Sequence, residues 1–153
     1  MKVTRICALV LALGSGCAHG MTLPEAADRL ESDSRGVLAE GARRLGAPGA
    51  RPRIVFNDRH PCGGGRSRRL LRGTVPLRHG PDPRVDLDNA TDVTIGLARA
   101  RGYRLERPPA ITRKFRTFTM AREGSIVRMV VQLHGGHHSS MRIDASTVCL
   151  PGA

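Results

Sequence analysis

The sequence predicts an α+β fold, with two helices packed on one antiparallel sheet of about five or six strands. Three observations predict it. An apolar stripe with helical spacing runs through residues 22–46, and a second helical segment lies near 86–102. Short segments in which apolar and polar residues alternate lie between and after these two, with glycine at the breaks. Strands that follow one another through tight turns pair antiparallel, and the amphipathic helices then have one sheet face to cover.

The first helix opens at Thr22-Leu23-Pro24-Glu25. Threonine with glutamate three places on is a capping box, and a proline in the first turn gives up an N–H that has no helical partner. Leu23, Ala26, Ala27, Leu30, Val37, Leu38, Ala42 and Leu45 form the stripe, Arg43 and Arg44 suit the negative end of the helix dipole, and Gly46 with Pro48 stops it. Residues 53–58 read as a short strand, and 60–69 as a flexible connector around Gly63-Gly64-Gly65. Residues 70–80 alternate, with Leu71, Val75 and Leu77 on one face, and Pro76 places this strand near a sheet edge. The second helix is expected to start after Asp86 or Asp88, to bury Ala90, Val93 and Leu97, and to end at Gly102. Strands are then expected over 103–107, 112–122, 125–134 and 140–150, with turns at Glu123-Gly124 and Gly135-Gly136. In the last strand Met141, Ile143, Ala145, Thr147 and Cys149 share a face, which points Cys149 inward.

With 153 residues there is room for one domain and no internal repeat is visible. Aromatic residues make up 3%, with no Trp, so the core must be aliphatic and methionine-rich. The formal charge is +12, and of the 25 basic residues only Lys2 and Lys114 are lysine. Such a surface draws polyanions. Binding of single-stranded nucleic acid also needs aromatic stacking platforms, which this chain lacks, so no nucleic-acid partner is expected. The alternative reading of the charge is a solvated surface rich in arginine.

The N-terminus has the parts of a secretory leader. Lys2 and Arg5 are followed by an uncharged apolar run over 6–13, too short to span a bilayer, and then by small residues. The stretch Leu13-Gly14-Ser15-Gly16-Cys17 resembles the lipobox of bacterial lipoproteins, although Gly14 stands where that family usually has leucine. The resemblance implies that Cys17 receives a diacylglycerol and becomes the mature N-terminus. Residues 1–16 are then a signal peptide, 17–21 a short tether and 22–153 the domain, exported and held at the outer face of the cytoplasmic membrane. Two or more acyl chains anchor stably. A cut after Ala18-His19-Gly20 is the alternative and would release a soluble secreted protein. The Cys17 anchor, opening helix, C-terminal run of strands and last-strand cysteine are together similar to small lipoproteins of high-GC Gram-positive bacteria, a likeness that implies no activity. Loss of the leader lowers the formal charge from +12 to +10, since only Lys2 and Arg5 go with it. Cys7 also leaves with the leader, and Cys62 and Cys149 remain as an even pair, which in an exported protein is expected to be a disulfide.

Chemistry-bearing clusters are few. His134, His137 and His138 lie within five residues and are the candidate metal ligands, but adjacent strand residues point to opposite faces, and no H-E-x-x-H or H-x-H pattern organises them. The alternative is a solvated polar turn. Ser139, Ser140, His137 and Asp144 are close in sequence without a G-x-S-x-G elbow. The three consecutive glycines lack the Gly-Lys-Ser/Thr ending of a phosphate loop, and no cofactor is implied. Arg66, Arg68, Arg69 and Arg72, with Arg113, Lys114, Arg116 and the arginines of 99–107, are expected to form one positive face toward anionic lipid, wall polymer or a protein partner. The functional expectation is a non-enzymatic binding or structural role at the cell envelope. A metal-binding protein and a small envelope hydrolase are the alternatives.

Overall fold

The computed structural model describes residues 21–122, 124 and 126–151. Its elements are helix α1 (Leu23–Leu45), strands β1 (Arg53–Gly63) and β2 (Arg66–Pro76), helix α2 (Pro83–Arg99), and strands β3 (Tyr103–Leu105), β4 (Ala110–Ile111), β5 (Phe115–Arg122), β6 (Val127–His134), β7 (Ser140–Thr147) and β8 (Leu150–Pro151). The strands form one antiparallel sheet in the order β1-β2-β7-β6-β5-β3, with β4 on β5 and β8 on β2. The α+β class is as the sequence predicts, and both helices cover the same sheet face.

Helix α1 forms as its sequence requires. Thr22 Oγ1 accepts from the Glu25 N–H, and the Glu25 carboxylate accepts from the Thr22 N–H at 2.8 Å. The bonds that Thr22 donates to it, from the backbone N–H first and the hydroxyl second, hold the Glu25 carboxyl below its usual range. Its buried stripe includes Asp33, Ser34 and Gly41 beside the expected aliphatics. Helix α2 starts earlier than the sequence predicts. Asp82 caps it, accepting from the Arg84 N–H at 2.9 Å, and Pro83 occupies the first turn.

The core lies between the helices and the inward residues of β2, β5, β6 and β7. Leu30, Val37 and Leu38 of α1 and Leu87 and Ala98 of α2 meet Leu71, Val75, Phe118, Val131, Leu133 and Ile143. Met120, Met129 and Met141 are fully buried and fill the volume that aromatics usually occupy. At Gly73 the helix comes so close that a Cβ would stand 2.2 Å from Leu38 Cδ1. No helix covers the opposite sheet face among the described residues, and its side chains are mostly polar.

Two expectations about β1 and β2 are corrected. The segment expected to be a connector is a hairpin arm, with Asp58, Arg59, His60 and Pro61 paired to Leu70, Arg69, Arg68 and Ser67. Gly63, Gly64 and Gly65, with φ of 87°, 58° and 69°, make its turn, which needs left-handed backbone that only glycine adopts freely. Strand β2 is interior, lying between β1 and β7. Pro76 is tolerated because it is the last residue of the strand, opposite Ser140.

Candidate functional site

The fold gathers polar side chains at its two ends. At one end lie the β6–β7 connection, the start of α2 and the chain leaving β2. There His79, Asp86, Asn89 and Ser139 line an open cleft of about 320 Å³. Two of these groups are engaged by backbone. Asp86 Oδ2 accepts from the Gly80 N–H at 2.6 Å, and Ser139 Oγ donates to the Gly136 carbonyl at 2.5 Å.

The three candidate metal ligands go to separate places. His134 points to the open sheet face and packs edge-on against Phe115, centroids 4.8 Å apart. His137 turns to His79 instead, at 5.7 Å, and His138 is exposed. Strand alternation and the turn between them send the rings apart. Among the described residues no three His, Cys, Asp or Glu side chains converge as metal ligands. The hydrolase residues are also apart. Asp144 lies four positions along β7 from Ser140, about 13 Å away. It is held by Arg72 at 2.5 Å and Arg142 at 2.7 Å.

The other end is made by the β1–β2 arm, the start of α1, β8 and the exit of α2. The expected disulfide is present. Cys62, in the arm, is bonded to Cys149, just before β8, with Cα atoms 6.1 Å apart. It ties the arm to the C-terminal segment outside the core, because β7 ends at Thr147 and Cys149 does not continue the inward face. Thr147 Oγ1 ends the ladder there, accepting from the Arg69 N–H and donating to the Val148 carbonyl, each at 2.9 Å.

The arginines expected on one face are divided between the two ends. Arg66, Arg68 and Arg72 project from β2 on the open side. Arg69 projects on the helix side and donates to Asn57 Oδ1 at 2.7 Å. Asn57 in turn donates to Glu31 at 2.9 Å, and this bond, ahead of the one from Arg35, holds the Glu31 carboxyl below its usual range. Arg113 and Lys114 lie beside 81–84 at the far end of the sheet. Arg116 is not a surface group: it is 3% exposed and points inward with Phe118 and Met120, donating to Asp88 at 2.7 Å and to the Thr112 and Phe115 carbonyls. Cys17, the leader and tether residues 17–20 lie outside the described residues.

A buried polar network went unnoticed in the sequence. Tyr103, 1% exposed, donates to Asp33 Oδ2 at 3.1 Å. Arg122 donates to the same oxygen at 3.3 Å and to the Arg101 carbonyl at 2.6 Å. Burial first, and the adjacent Asp33 carboxylate second, push the Tyr103 phenol well above its usual value. The signal was available, since Asp33 lies three residues after Leu30 and four before Val37, within the apolar stripe. Compared with protein-family models, with curated proteins and with solved structures, the chain has no match.

Proposed function

We propose that this chain is an exported lipoprotein, anchored through Cys17 to the outer face of the cytoplasmic membrane, whose domain has a non-enzymatic binding or structural role at the cell envelope. The observation that carries the reading is Cys17 itself, placed after the apolar run 6–13 and the small residues Gly14, Ser15 and Gly16. The Cys62–Cys149 disulfide supports export, because such bonds persist in oxidising compartments. The capped start of α1 at Leu23 supports a short tether, since the helix begins six residues after Cys17. The partner is an anionic component of the envelope or another protein, and the excess of arginine favours the anionic one.

Fractionation of cells expressing the chain tests the anchor. The parent protein is expected with the membranes, and Cys17→Ser is expected to leave that fraction or to accumulate unprocessed. Equal distribution and equal processing of the two would reject lipid attachment and leave secretion after Gly20.

A further inference from the structure

We infer that the tip of the β1–β2 arm is a docking surface for anionic phospholipid headgroups, presented to the same membrane that holds the tether. The inference rests on the anchor reading for its choice of lipid over other anions. Three features of the fold carry it.

The first is position. Leu23, Pro24 and Ala27 of α1 share a shallow recess with Arg59 and Arg69, so the chain leading back to Cys17 leaves the domain beside the arm. Leu23 lies six steps along the chain from Cys17, a reach of at most about 22 Å. Asn57 is bonded to Glu31, which gives a common reference level. From there the arm extends six residues to Gly63, about 20 Å of strand. The helix extends only eight residues to Leu23, about 12 Å. The tip therefore reaches as far toward the anchored side as the helix start, or farther.

The second is charge. Arg59, Arg66 and Arg68 are exposed, and none forms an ion pair with another described residue. Asp58 is the one carboxylate on the arm. Nearby Glu25 is committed to its helix cap and Glu106 to Arg128 at 2.8 Å. Arg66 and Arg68 flank the tip on one side and Arg59 on the other, so phosphates on a plane reach all three. Guanidinium groups suit phosphate oxygens because each presents paired donors.

The third is rigidity with an apolar contact. The disulfide and β8 hold the tip, so the backbone that carries its arginines is cross-linked before binding. Val148, 43% exposed, lies in a recess with Arg68 and Cys149, an apolar side chain at headgroup level beside the cations.

The test uses the full chain carrying Cys17→Ser, so that lipid attachment plays no part. It is sedimented with vesicles of phosphatidylcholine alone or mixed with phosphatidylglycerol. Binding is expected to be stronger on the mixed vesicles and to fall with salt. Arg59→Gln/Arg66→Gln/Arg68→Gln is expected to weaken it by about fivefold per residue. Arg51→Gln/Arg53→Gln/Arg84→Gln removes the same charge from exposed positions at the opposite end and is expected to leave binding unchanged. The melting temperature of each variant shows that the domain is intact. Equal loss in both triple variants, or none in the arm variant, would overturn the proposal. So would binding of soluble polyglycerol phosphate through the same arginines without any gain on anionic vesicles, which assigns the tip to wall polymer. A negative vesicle result leaves the anchor reading standing, and a failed anchor test leaves the vesicle result readable.

Discussion

Alkaline titration tests the buried network at the end of α2. Tyr103 is the only tyrosine and there is no tryptophan, so tyrosinate absorbance in the near ultraviolet reports this side chain alone. In the folded domain its hydroxyl donates to Asp33 Oδ2 at 3.1 Å. Removing the proton would put two anions in contact with Tyr103 only 1% exposed, and among the described residues Arg122 is the only cation bonded to Asp33. The folded pKa is therefore raised above the unfolded value, near 10.0. Its contribution to stability is complete below that value and is lost as pH rises above it. The loss is about 1.4 kcal/mol per pH unit until the folded phenol ionises. Two units of that loss cost about 2.7 kcal/mol, so a domain holding roughly 5–15 kcal/mol is weakened without unfolding. The expected result is absorbance that stays flat past pH 10 with circular dichroism intact, while stability to denaturant falls by about 1.4 kcal/mol per unit. Tyr103→Phe is expected to cost about 1 kcal/mol at neutral pH, because Asp33 keeps Arg122, and to remove the alkaline decline. A single-proton titration centred near 10 with the helix signal intact would refute the burial and the bond.

Two further outcomes are expected. Cys62→Ser/Cys149→Ser removes a cross-link across 87 residues and should lower stability by about 4 kcal/mol, a fall in melting temperature on the order of 10 °C; an unchanged melting curve would show that the arm is held without it. Gly73→Ala drives a Cβ to 2.2 Å from Leu38 Cδ1 and 3.2 Å from Ile54 Cδ1, so overpacking of about 1–3 kcal/mol is expected in chemical denaturation, and a neutral result would mean α1 lies farther from β2.

What was legible in the sequence was whatever one buried face imposes on spacing. Helix α1 was visible to its caps because its apolar stripe is continuous and its ends carry Thr22, Glu25 and Gly46. Strands β6 and β7 were visible because every second residue packs into the core. The β1–β2 arm was hidden for the opposite reason. Beyond Asn57 it buries almost nothing, so no alternation marks it, and backbone pairing with three left-handed glycines forms it instead. Arg116 was misplaced because its charge outweighed its phase, although it stands in register with Phe118 and Met120. The disulfide partners were identified by elimination, while the inward placement of Cys149 failed where the Thr147 side chain ends the ladder. The histidines were close only in number, since alternation and a turn separate neighbours faster than sequence distance implies. The arm's arginines came together through a pairing no local pattern announced, and Arg59 joined them from a strand read as ending at residue 58.

The most direct measurement is the mass of the N-terminal peptide of the mature protein, recovered from the producing cell after proteolysis. Lipid attachment at Cys17 predicts a peptide that begins at Cys17 and carries a diacylglyceryl group, with palmitate label incorporated and lost in Cys17→Ser. An unmodified peptide beginning at Met21 would contradict it, making the protein a soluble secreted domain and removing the reason for the arm to face a membrane.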